Sequence, residues 1–335
     1  MNGKRSKIEP AVMTLYVPTN PVPGTGDTVT EYIDLSQVAS LVNRRFYRQG
    51  LNWAVAGIKV LNLASFEGSI LCAKLPNTWV MSNAWEKSFR AWQRMNNEAL
   101  EEAGSVRPRF MDFKVYADND HHSAGFGANL LPSSLDGAFA AGEWEASKFV
   151  IPDNSVPGGV AYDREVIAVG ANYPGAGASG FNAISMIEGY AASRALPSKE
   201  DPHTPGDARD ADGTIPANWM SALFNDGTEQ DADVLEDLTT ENNIAPYPFE
   251  GVNLNLDTQY PGGANQGPGL QIHDVNFITP TTIGGQTHIK GGNFPCGLIR
   301  LDMSNTSGTT SNLILQIDLM PGSHRGYLAE SMTEM

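Results

Sequence analysis

The chain has 335 residues, a mass of 36.0 kDa and 41% hydrophobic residues, which is ample for a buried core in one large domain or two. Its 22 Lys and Arg against 38 Asp and Glu give a net charge of −16, which excludes a protein whose whole surface grips nucleic acid or an anionic membrane. The charge is uneven: residues 1–115 hold 14 basic and 10 acidic side chains and residues 116–335 hold 8 and 28, so the first third leaves room for one cationic face.

The 34 glycines and 21 prolines follow no G-X-Y period, which excludes collagen and favours a loop-rich, β-rich fold. No apolar run is long enough to span a bilayer, and residues 1–10 lack the apolar centre of a signal peptide. A soluble protein made in a cytosol-like compartment is expected. Cys72 and Cys296 stand far apart in apolar surroundings, with neither a disulfide nor a metal spacing; both read as reduced core residues.

In chain order, residues 1–10 form a short polar tail carrying Lys4, Arg5 and Lys7. Residues 12–17 have strand composition and stop at the Pro- and Gly-rich stretch 18–26, which cannot continue a ladder. Further strands are predicted at 31–35, 53–61 and 68–75, the last closed by Pro76. One amphipathic helix follows. Ser82 or Asn83 can cap it, Trp85, Phe89, Trp92, Met95 and Ala99 recur at steps of three and four, and Gly104 ends it. That aromatic stripe predicts a helix packed on a sheet. Strands are then predicted at 110–116, 143–151, 164–169, 183–190, 270–278, 296–303 and 312–319. They do not alternate with helices, so an antiparallel sandwich or barrel is expected rather than a doubly wound α/β sheet. Between residues 200 and 241 twelve carboxylates face one basic residue, Arg209, which marks an acidic surface insertion at about 197–243 within a single domain from 11 to 335.

Several motifs invite a chemical reading. Gly175-Ala-Gly177-Ala-Ser-Gly180 spells a dinucleotide fingerprint, but a charged, proline-containing loop follows where a second parallel strand would be needed, so a surface turn is expected. Asp118, Asp120, His121 and His122 offer oxygen and nitrogen ligands within five residues, yet without the spacing of a known metal motif, and they stand as weak metal candidates beside a solvated turn. No nucleophile elbow or triad spacing occurs, so no enzyme activity and no cofactor are expected. The sequence Arg44-Arg45-Phe46-Tyr47-Arg48 pairs guanidinium groups with aromatics. That combination suits single-stranded nucleic acid, the arginines meeting phosphates and a ring stacking on an unpaired base. With Lys4, Arg5 and Lys7 these arginines form the candidate nucleic-acid contact.

Phrases spread along the chain carry a resemblance: Val42-Asn-Arg-Arg-Phe-Tyr-Arg-Gln-Gly50, Ala73-Lys-Leu-Pro-Asn-Thr-Trp79 with the Trp85 helix, Asp112-Phe-Lys-Val-Tyr116, Gly142-Glu-Trp-Glu145, Ala245-Pro-Tyr-Pro248, Pro295-Cys-Gly-Leu-Ile299 and His324-Arg-Gly-Tyr-Leu-Ala-Glu330. In this order the chain resembles the capsid proteins of small circular single-stranded DNA viruses that encode their own replication protein. The resemblance implies an eight-stranded viral jelly roll of two antiparallel sheets with long loop insertions. It also implies self-assembly into an icosahedral shell around single-stranded DNA, location in the virion after synthesis in the host cytosol, and no membrane partner. Such proteins often begin with a long arginine-rich arm, and here only Lys4, Arg5 and Lys7 stand in its place. Two alternatives stay open: a double jelly-roll capsid protein of a membrane-containing virus, and a β-sandwich module for glycan or host attachment using Trp219, Tyr247 and Phe249.

Overall fold

The computed structural model describes residues 10–62, 66–101, 112–153, 160–170, 182–192, 269–279 and 285–335. In chain order these form β1 (Thr14–Pro18), β2 (Thr28–Asp34), α1 (Leu35–Asn43), β3 (Leu51–Asn62), β4 (Gly68–Lys74), α2 (Trp79–Glu101), α3 (Asn119–Ala124) and the short pair β5 (Ser133–Ser134) and β6 (Gly137–Ala138). Then come β7 (Lys148–Asp153), β8 (Val160–Ile167), β9 (Asn182–Ser185), α4 (Met186–Ala192), β10 (Gln271–Ile278), β11 (Gln286–Phe294), β12 (Leu298–Asn305), β13 (Leu313–Leu319), β14 (Pro321–Gly322), β15 (Gly326–Tyr327) and β16 (Ala329–Ser331). No helix among the described residues is long and apolar enough to cross a membrane.

The described residues divide into two compact units. One takes those up to Asn77, Phe126–Glu145 and those from Leu270 onward; the other takes Thr78–Gly125 and those described between Ala146 and Gly269. The predicted acidic insertion at 197–243 and the glycine-rich motif at 175–180 lie outside the described residues.

The first unit is a β-sandwich. One antiparallel sheet runs β1-β13-β3-β11, with β16 also pairing to β3, and the other runs β10-β4-β12-β2. Strand alternation explains why two sheets face one another. In β13, Leu313, Leu315, Ile317 and Leu319 are buried while the residues between them are half-exposed. Ile58 and Val60 of β3, Ile299, Leu301 and Met303 of β12 and Ile70 and Cys72 of β4 meet them in a single apolar core drawn from both sheets. Each such side chain, fully buried, contributes roughly 1.5–3 kcal/mol. The outward residues of the first sheet are tied by polar contacts: Lys59 Nζ lies 3.2 Å from Asp318 Oδ2, and Thr14 Oγ1 donates to Asp318 Oδ1 at 2.7 Å.

Two elements of this unit escape the pattern reading. Asp34 ends β2 and caps α1, its carboxylate accepting from Ser36 N at 2.9 Å and Gln37 N at 3.3 Å. β11 carries Gly291 and Gly292 in mid-strand, a composition that argues against a strand, yet the close approach of β3 requires it. A Cβ on Gly291 would stand 2.2 Å from Ala56 O.

In the second unit β7, β8 and β9 form a three-stranded sheet, with β8 and β9 parallel. The predicted helix is present as α2. Trp85, Phe89 and Trp92 stack in sequence along it and meet Phe113, which in turn meets Phe149 on β7, as the aromatic stripe predicts. It is one of four α-helices among the described residues, not the single one expected. The strand predicted at 183–190 is half helix: β9 ends at Ser185, whose Oγ accepts from Glu188 N at 3.4 Å and turns the chain into α4. The strand predicted at 110–116 reduces, where described, to an extended segment ending in a parallel bridge from Tyr116 to Ile167.

Candidate nucleic-acid interface

The arginine turn is built by what precedes it. α1 ends when Arg44 adopts the left-handed conformation, with φ +53°, and its N–H donates to Ser40 O. Arg45 N also donates to Ser40 O, and Tyr47 N donates to Ser40 Oγ at 2.9 Å. From there burial alternates along the chain. Arg44, Phe46 and Arg48 are exposed, Arg45 is half-buried, and Tyr47 and Gln49 are buried.

Tyr47 is the anchor of the turn. Its ring packs against Trp53 at 5.9 Å and Tyr327 at 5.4 Å, and Trp53 and Tyr327 lie 5.5 Å apart, all three tilted as aromatic quadrupoles prefer. Tyr327 Oη donates to Val12 O at 2.6 Å and accepts from Asn43 Nδ2 at 2.7 Å; burial, with Tyr47 beside it, pushes its phenol up to about 12. Gln49 Nε2 donates to Asp34 Oδ2 at 3.1 Å, which ties the far end of the turn to the cap of α1.

A second turn completes the surface. Between β14 and β15, Arg325 also adopts a left-handed conformation, with φ +50°. Arg325 Nη1 donates to Phe46 O at 2.6 Å, and Tyr47 Oη donates to Arg325 O at 3.1 Å, so the two turns are interlocked. His324 reports the combined field. Its imidazolium is disfavoured by burial first and then by the charges of Arg325 and Arg48, which hold it below its ordinary pKa. Arg45 Nη1 donates to Pro10 O at 3.0 Å, so the chain enters the described structure beside the arginine turn. Lys4, Arg5 and Lys7 lie outside the described residues, a few positions up the chain from that contact.

Comparison with protein families, curated proteins and solved structures found no match. The chemistry therefore rests on this geometry. Arg44, Arg45 and Arg48 stand on one turn, and Arg325, absent from the predicted set, joins them from a site remote in sequence. Lone residues of left-handed conformation are what brings them together, and Gly326 directly after Arg325 is the one local sign of that second turn. The sequence alone leaves Phe46 and Tyr47 equal as rings for stacking; the structure buries Tyr47 and leaves Phe46 as the exposed aromatic of the turn.

The four metal candidates belong to the second unit. Asp118 caps α3, its Oδ1 accepting from His121 N at 2.9 Å, and Asp120 is exposed. His121 and His122 are not on a solvated turn but fully buried, with the Tyr116 ring edge-on to both at 5.1 Å and 5.0 Å. His121 Nδ1 accepts from Ala117 N at 3.0 Å. His122 Nε2 lies 2.9 Å from Glu165 Oε2, although neither of its nitrogens makes an aligned hydrogen bond. Among the described residues no three His, Cys, Asp or Glu side chains converge as metal ligands.

Proposed function

We propose that this chain is a structural capsid subunit that assembles with copies of itself into a closed shell around single-stranded DNA, and that its sandwich is wound as an eight-stranded jelly roll. Strand pairing carries the reading. When the eight long strands of the first unit are counted in chain order, the first pairs with the eighth (β1 with β13), the second with the seventh (β2 with β12), the third with the sixth (β3 with β11) and the fourth with the fifth (β4 with β10). That is the pairing of one long antiparallel ribbon rolled until its strands fall into two facing sheets.

Jelly rolls serve lectins and cupins as well as capsids. The shell reading is favoured by the ordered resemblance to small single-stranded DNA virus capsid proteins and by the four-arginine surface, a feature a glycan-binding module does not need. The single roll is favoured over the double one because the second unit, where described, holds a three-stranded sheet with a parallel pair.

Negative-stain electron microscopy and light scattering of the full chain, over a range of salt and pH with and without circular single-stranded DNA, test the proposal. Uniform closed particles are expected. A monodisperse monomer under every condition overturns it, and glycan binding by that monomer would put the attachment module in its place.

A further inference from the structure

We infer that Phe46, backed by Trp144, is a stacking platform for one unpaired base, so that the arginine turn takes single-stranded nucleic acid by base and phosphate together. The inference rests on the proposed reading of this turn as a genome contact and adds to it a base contact and the ring that makes it.

Burial decides between the aromatics of the turn. Tyr47 is 0% exposed inside the Trp53–Tyr327 cluster, whereas Phe46 keeps 38% of its surface in solvent. The backbone of Phe46 is held on both sides, by Arg325 Nη1 on its carbonyl oxygen and by the buried Tyr47 that follows. Its ring is held from below. Trp144 lies 6.3 Å away, centroid to centroid, at an interplanar angle of 54°, and its indole Nε1 donates to the buried carboxylate of Asp34 at 3.0 Å. Rings at that separation and tilt already touch, so a base does not enter between them; it lies on the outer face of Phe46. A rigid ring is the better platform, because little side-chain entropy remains to be lost when a base settles on it.

The surrounding charge sets the direction of the strand. Exposed Arg44 and Arg48 flank Phe46 two residues away on either side, in reach of phosphates next to the stacked base. Exposed Glu143 and Glu145 flank Trp144 and repel phosphate on that side. A base already paired in a duplex presents no free face to Phe46, so the platform selects unpaired strands.

Binding of the full chain to three labelled ligands of equal length separates the possibilities: oligo-dT, an abasic deoxyribose-phosphate chain, and a duplex. Oligo-dT is expected to bind more tightly than the abasic chain. Phe46→Ala should weaken oligo-dT about tenfold, within the range for loss of one base–aromatic stack, and leave the abasic chain and the duplex unchanged. Phe46→Trp should restore oligo-dT binding, and a thermal melt confirms that each variant is folded. An abasic chain bound as tightly as oligo-dT, or Phe46→Ala without effect on oligo-dT, overturns the platform while the phosphate contact stands. If neither single-stranded ligand binds at low salt, the reading of the turn as a genome contact falls as well.

Discussion

Asp34 is the residue on which the arginine turn hangs. It is fully buried and accepts from the backbone of Ser36 and Gln37, the hydroxyl of Ser36, Gln49 Nε2 and Trp144 Nε1, so it holds the helix before the turn, the residue after it and the tryptophan beneath Phe46. Burial pushes its carboxyl up to about 6 from an ordinary 3.8, and the hydrogen bonds offset only part of that cost. Between about pH 4 and 6 the native state therefore keeps a proton that the unfolded chain has already released. This contribution is fully present below about pH 4 and is lost as the pH rises through about 6, on the order of 2–3 kcal/mol in all. Asp34→Asn should remove that slope. Urea unfolding of both proteins between about pH 4 and 7 should show the wild type losing stability relative to the variant as pH rises; parallel curves would mean that Asp34 ionises as an ordinary carboxylate. At every pH the variant should be weaker in absolute terms, since its amide nitrogen places a donor where Gln49 or Trp144 already donates.

At the scale of elements, β11 offers a sharp contrast between adjacent glycines. A Cβ on Gly291 would meet Ala56 O at 2.2 Å, a backbone atom fixed in the β3 ladder, whereas a Cβ on Gly292 would meet His273 Cε1 at 2.8 Å, a side-chain atom that can move at the cost of the ring's contacts with Lys290 O and Phe294. Gly291→Ala should cost about 2–4 kcal/mol and Gly292→Ala clearly less, as read by chemical denaturation; equal losses would mean that β11 shifts as a whole. The same glycines show why this strand was illegible in the sequence: composition alone cannot distinguish a glycine that breaks a strand from one that lets two strands close. α1 was legible but unread, because Leu35, Val38, Ala39 and Val42 fall at helical spacing directly after a capping Asp34. The strands β1, β3, β4, β10, β12 and β13 stand where strand composition and bounding turn residues predict them, within a few residues of their observed ends. The run Ile184, Ser185, Met186, Ile187 fits either period, and only the Ser185 cap decides it. For the candidate site, the sequence exposed the contiguous arginines and hid Arg325 and Trp144, which arrive through tertiary pairing.

For the whole molecule, the charge imbalance makes the arginine surface testable through salt. Each phosphate neutralised on a single strand releases counterions worth about 0.7 in the slope of log K against log salt. Replacing Arg44, Arg45 and Arg48 together should flatten that slope by about 2 if each meets one phosphate. The substitutions have to spare the fold. Arg44→Gly suits a position with φ +53°, where glycine is the preferred residue, and Arg48→Ala alters an exposed side chain. Arg45→Ala gives up the hydrogen bond to Pro10 O and should be checked by melting. Fluorescence anisotropy of labelled oligo-dT over a salt series reads the outcome, and an unchanged slope would remove these arginines from the contact. The background sharpens the test. Residues 116–335 carry 28 acidic and 8 basic side chains, so without the turn the protein presents a net repulsive field to a polyanion. That repulsion is screened within about 10 Å at 0.1 M salt. The triple variant should therefore bind more weakly throughout, with the gap widest at low salt, where the positive turn acts over its longest range and the acidic remainder is least masked.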